Sequence, residues 1–76
     1  MGFDYSKLIG RIIEKFGSRK AFASACGKSE NTISQKLNNK MAITVDDIQE
    51  WSAPELLDIQ PIEYHEYFFK EKVQVS

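Results

Sequence analysis

The sequence has few of the residues that staple or ligate a fold. One cysteine and one histidine among 76 residues supply neither a disulfide framework nor a Cys/His ligand set. That excludes a stapled secreted scaffold and a structural zinc site, and it fits a reducing cytoplasmic compartment. No apolar run approaches the roughly 20 residues that cross a bilayer, and Met1 is not followed by the basic segment and apolar stretch of a secretory leader. A soluble protein with no membrane partner is expected. Catalytic equipment is equally sparse: His65 is the sole imidazole, Cys26 falls on an apolar helical stripe, and no glycine-rich phosphate loop follows a strand. The acidic pairs Asp46 with Asp47 and Glu63 with Glu66 stand at helix starts, where capping and the helix dipole account for them without a metal. The reading is a protein that is not an enzyme, with no catalytic residue, metal or cofactor. A chain of this length holds one core, so residues 1–76 read as a single domain.

What the sequence does have is helical periodicity. Tyr5, Leu8, Ile9, Ile12, Ile13 and Phe16 form one apolar stripe, with Asp4 available as N-cap and Gly17 as terminator. Ser18 caps a second helix from Arg19 to Cys26, whose inward positions are Phe22, Ala23 and Cys26, and Gly27 stops it. Ser29 caps a third, carrying Ile33 and Leu37 inward and ending at Asn38 and Asn39, two residues that tolerate the left-handed conformation. After an apolar linker from Met41 to Ile43, Thr44 and Asp47 have capping-box spacing and open a fourth helix with Val45, Ile48 and Trp51. Leu56, Leu57 and Ile59 continue its strip past Pro54, which predicts either a kinked helix or two short helices in succession. Pro61 opens a fifth helix to about Tyr67, and Phe69 to Val75 alternate as an extended tail or a strand, extended being favoured. The fold class is all-α, about five short helices.

Residues 19–38 have the layout of a helix-turn-helix: small Ala23 for close approach, Gly27 for the tight turn, and Ile33 and Leu37 to lock the second helix onto the first. On a helical wheel of about 100° per residue with Ile33 at zero, the outward side centres near 200°. Asn31, Gln35 and Asn38 point that way, with Ser34 and Thr32 on the flanks. All are uncharged hydrogen-bonding side chains, and Asn and Gln present a donor and an acceptor side by side, matching the N6 and N7 edge of adenine. A face that needed only solubility would more often carry Lys and Glu. Asn31, Ser34, Gln35 and Asn38 are therefore the candidate base-reading residues. Glu30, in the first turn, suits the helix dipole.

The net charge of −1 arises by cancellation. Residues 1–40 hold eight Lys or Arg against three Asp or Glu, whereas residues 41–76 hold two against eight. Arg19 and Lys20 open the second helix, Lys28 sits in the turn and Lys40 follows the third helix. Cations so placed can hold phosphates on either side of a groove, and these four are the candidate phosphate contacts. The expected partner is double-stranded operator DNA, met by a homodimer on a two-fold site.

Three stretches carry a resemblance. The opening Phe3-Asp-Tyr-Ser-Lys-Leu8 with Gly10-Arg-Ile12, the central Lys20-Ala-Phe-Ala23 with Ser34-Gln-Lys-Leu-Asn38, and the closing Glu66-Tyr-Phe-Phe69 with Lys72-Val-Gln74 resemble small Cro-like and modulator-of-repression proteins of temperate phages of Gram-positive bacteria. The resemblance implies a lambda-repressor-like helix-turn-helix fold, a place in the cytoplasm of a bacterial host cell, and a role in the switch between lysogenic and lytic growth. It also implies a rival mechanism: an antirepressor that binds a phage CI-type repressor and blocks it. In that case the acidic half, with Trp51, Tyr64, Tyr67, Phe68 and Phe69, could face the repressor's basic DNA-binding domain, although core packing is the first use for such aromatics. Two departures from the family pattern are Lys28, where an apolar turn residue is common, and Pro54, which interrupts the fourth helix.

Overall fold

The local signals above become five helices in a computed structural model, which describes residues 2–72. They are α1 (Ser6–Phe16), α2 (Arg19–Cys26), α3 (Glu30–Leu37), α4 (Val45–Trp51) and α5 (Tyr64–Phe68), the last preceded by a 3₁₀ turn over Pro61–Glu63. The caps set most boundaries. Ser18 Oγ accepts the Ala21 N–H and Ser29 Oγ accepts the Thr32 N–H, both at 3.1 Å. Thr44 and Asp47 close a reciprocal capping box, each accepting the other's backbone N–H. Each such cap contributes about 1 kcal/mol. Gly17 (φ 85°) and Gly27 (φ 70°) end α1 and α2 in the left-handed region, where a Cβ would be strained.

Four boundaries differ from the sequence reading. Helix α1 begins at Ser6, so Asp4 lies one residue outside the cap position, which Tyr5 holds; the Asp4 carboxylate still accepts the Ser6 N–H at 2.9 Å. Asn38 ends α3 with φ −98°, and only Asn39 (φ 62°) is left-handed. Past Trp51 there is neither a kinked helix nor a second one. Residues 52–59 fold into tight turns in which Leu57 N–H bonds Trp51 C=O, Asp58 N–H bonds Ala53 C=O and Ile59 N–H bonds Ser52 C=O, with Asp58 left-handed at φ 51°. Pro54 has no N–H to continue the ladder, and these backbone bonds place Leu57 and Ile59 in the core without a helix. The fifth helix does open at Pro61, but its first turn is 3₁₀ and it runs to Phe68.

The core takes two or so side chains from each element: Leu8 and Ile12, Phe22 and Ala23, Ile33 and Leu37, Ile48 and Trp51, Leu57 and Ile59, Tyr67 and Phe68. Trp51 is its hub, packed edge-on to Phe22 at 5.3 Å between ring centroids and tilted against Phe68 at 6.5 Å. Such pairs add about 0.5–1.5 kcal/mol beyond area burial. Long-range polar ties fix the periphery. Arg11 donates to the carbonyls of Leu57 and Asp58, holding α1 to the turn after Pro54, and Lys7 pairs with Glu66 of α5 while lying over the Tyr67 ring. At the chain ends Phe3 and Glu71 form an isolated antiparallel bridge, and no strand occurs among the described residues. Of the tail expected to be extended, residues 73–75 lie outside the described residues. Among the described residues no helix is long and apolar enough to cross a membrane.

Candidate nucleic-acid interface

Helix α3 is held at three points, and this leaves one face to solvent. Ile33 and Leu37 bury against α2, where Ala23 is buried at the helix contact and Gly27 makes the turn. In its last turn, Lys36 Nζ reaches Asp47 Oδ2, the same oxygen that accepts the Thr44 N–H in the α4 capping box. Both side chains of this pair are nearly nine-tenths buried. Burial works to raise the Asp47 carboxyl, but the hydrogen bonds from Lys36 and Thr44 outweigh it and hold the group below the usual carboxylate range. At its end, the Asn39 amide brackets the backbone of Phe3, accepting its N–H at 3.0 Å and donating to its C=O at 2.9 Å.

On the solvent side Asn31 and Asn38 are exposed, while Ser34 and Gln35 are half-buried on the same helix. Thr32, beside them, shares its hydroxyl with Ser29 at 2.9 Å. Of the four candidate cations, Lys20, Lys28 and Lys40 are exposed and Arg19 is half-buried. The exposure of Lys28 explains how a charged residue is accommodated in the turn: its side chain replaces no core contact, and its N–H bonds Ala23 C=O at 2.9 Å.

The eight cations of the basic half divide by partner. Lys7, Arg11 and Lys36 form the ion pairs found among the described residues. Lys15, Arg19, Lys20, Lys28 and Lys40 form none there. Lys15 was not singled out by the sequence. It is exposed in the last turn of α1, two residues before the loop that opens α2, and its signal was its lack of an acid three or four residues away on the outer face.

Cys26 and His65 sit in different surroundings. Burial, with the charges of Glu50 and Asp47 behind it, pushes the Cys26 thiol up to about 11, so it is protonated at neutral pH and a poor nucleophile. His65 is exposed, and no group of three His, Cys, Asp or Glu among the described residues is placed to hold a metal. In the acidic half Trp51, Tyr67 and Phe68 are core residues, which leaves half-buried Tyr64 and exposed Phe69 as aromatics a partner could reach.

Residues 1–71 match the family described as protein of unknown function (DUF739). No curated protein matches the chain. Among solved structures, the chain is similar to the solution structure of the modulator of repression (MOR) of the temperate bacteriophage TP901-1 from Lactococcus lactis. The two are 42% identical, the match covers 97% of each chain, and the TM-score is 0.79.

Proposed function

The chain belongs to the DUF739 family, and from that membership, with its likeness to a phage modulator of repression, we propose that it regulates the switch between lysogenic and lytic growth of a temperate phage. It does so by binding operator DNA, with α3 in the major groove. Asn31, Ser34, Gln35 and Asn38 read base edges, and Arg19, Lys20, Lys28 and Lys40 hold the flanking phosphates, with Lys15 as an added contact. Ala23, Gly27, Ile33 and Leu37 are the scaffold that sets α3 at its angle. The observation that carries this reading is the coincidence of two features. The outward positions Asn31, Ser34, Gln35 and Asn38 bear uncharged hydrogen-bonding groups, with the exposed Glu30 confined to the first turn of α3, and the cations around them form no ion pair among the described residues, whereas Lys36, on the same helix, is consumed by Asp47.

Base reading and phosphate contact separate experimentally. Gln35→Ala costs about 1–3 kcal/mol at one base pair and relaxes specificity there; Lys40→Ala weakens binding to all sequences alike and lowers the salt slope by about one. Equal losses on operator and random DNA for both variants would remove Gln35 from the reading face.

A second reading has its own support in the likeness to a modulator of repression and in the acidity of residues 41–76. In it the protein is an antirepressor that docks its acidic side on a repressor's basic DNA-binding domain. It predicts a complex with the repressor and no operator binding by the pure protein.

A further inference from the structure

Two apolar features are left open to solvent, one of them bordering the core and sharing Lys40 with the proposed DNA face. One is a groove of about 610 Å³ between the loop after α3, the N-terminal arm and the stretch following α5. Phe3 and Ile43 line it, and Met41 and Phe69 stand at its edge, each 43% exposed. Its charged lining residues are Lys40 and Lys72 against one carboxylate, Glu71, and none of the three forms an ion pair among the described residues. The other is Ile62, at 92% the most exposed of the large apolar side chains among the described residues. A lone exposed isoleucine is unremarkable, but this one is presented rigidly. Pro61 fixes φ beside it, the 3₁₀ turn fixes its backbone, and the Glu63 carboxylate is held next to it by the Gln60 N–H at 3.0 Å. From Pro54 to Glu66 the chain carries four carboxylates and no Lys or Arg; Lys7 pairs with Glu66, and Glu55, Asp58 and Glu63 form no ion pair among the described residues.

A rigid apolar knob in an acidic surround and an apolar groove with a basic rim are complementary. They lie at opposite ends of α5, the knob before its first turn and the groove beyond its last, so they do not meet within one molecule. We infer that the groove receives the Ile62 tip of a second copy of this chain, a head-to-tail contact in which every copy offers one knob and one groove. The groove has the size of a site for a small ligand or a few side chains, and the pre-set turn reduces the ordering cost of seating it. A two-fold pairing through the 70–72 edges is disfavoured, because it sets Glu71 against its own copy. The inference stands on these two surfaces and does not depend on DNA binding.

Head-to-tail contacts make a distinctive prediction on mixing variants. In sedimentation velocity from about 10 μM to about 1 mM, the wild type rises from the 8.7 kDa monomer to at least twice that mass. Ile62→Ser, which removes only the knob, and Met41→Glu, which spoils only the groove, each stay monomeric, with helical circular dichroism and thermal midpoint unchanged because both positions are exposed. Mixed in equal amounts, the two form dimers and nothing larger, since one intact knob and one intact groove remain between them. A wild type that is monomeric throughout overturns the inference, as do single variants that still associate or a mixture that stays monomeric.

Discussion

Asn39 does two jobs in one residue. It takes the left-handed conformation (φ 62°) one residue past the C-cap of α3, and its amide brackets Phe3, the residue that bridges Glu71, which fixes the N-terminal arm. The side chain is well matched to both tasks, because asparagine tolerates the left-handed region better than other non-glycine residues and presents a donor and an acceptor side by side. Asn39→Ala loses both bonds and keeps the backbone strain, so it costs about 1–3 kcal/mol, while Asn39→Gly loses the bonds but relieves the strain and costs less. Urea midpoints of the two variants check this order, and an alanine variant as stable as glycine would show that strain plays no part. The arm is packed so closely that a Cβ on Gly2 would lie 2.6 Å from the Asn39 amide carbon.

Between elements, the joint that matters for the proposed DNA face is Lys36 with Asp47, which ties α3 to the first turn of α4. The Asp47 carboxyl is held below its unfolded value, so its contribution to stability is fully present above the usual carboxylate range near pH 4 and is lost as pH falls through the lower native value. Asp47→Asn therefore costs about 1–2 kcal/mol at neutral pH, and the gap from wild type closes on acidification below the usual carboxylate range. Thermal unfolding as a function of pH measures it, and a gap independent of pH would deny the carboxylate charge its role. The helices themselves were legible in the sequence because their caps act over three residues: Ser18, Ser29 and the Thr44/Asp47 box set three starts. What was illegible acts over long separations. Nothing local pairs Lys36 with Asp47, Arg11 with the carbonyls of Leu57 and Asp58, or Lys7 with Glu66. The wheel could therefore name the outward face of α3 but could not tell which cations the fold would consume. The apolar strip past Pro54 misled for a related reason, since core positions for Leu57 and Ile59 are reached by backbone turns that leave the same hydrophobic spacing as a helix.

At the scale of the whole molecule, the excess of five basic residues in the first 40 positions sits against an excess of six acidic ones in the rest. The fold draws Lys7, Arg11 and Lys36 into internal contacts and leaves Lys15, Arg19, Lys20, Lys28 and Lys40 without acidic partners among the described residues. In the proposed reading these cations steer the duplex towards α3. If four or five of these cations meet phosphates, the logarithm of the association constant falls with the logarithm of salt concentration at a slope of about −3.5 to −4.5. The most direct test titrates the pure protein into the phage's intergenic operator DNA and into unrelated DNA of equal length, alone and with the neighbouring repressor present. The account predicts that the protein alone retards the operator at a lower concentration than the unrelated duplex, with that salt slope. No retardation by the protein alone, together with a stable complex between it and the repressor, would contradict the account and leave the acidic side as the working surface.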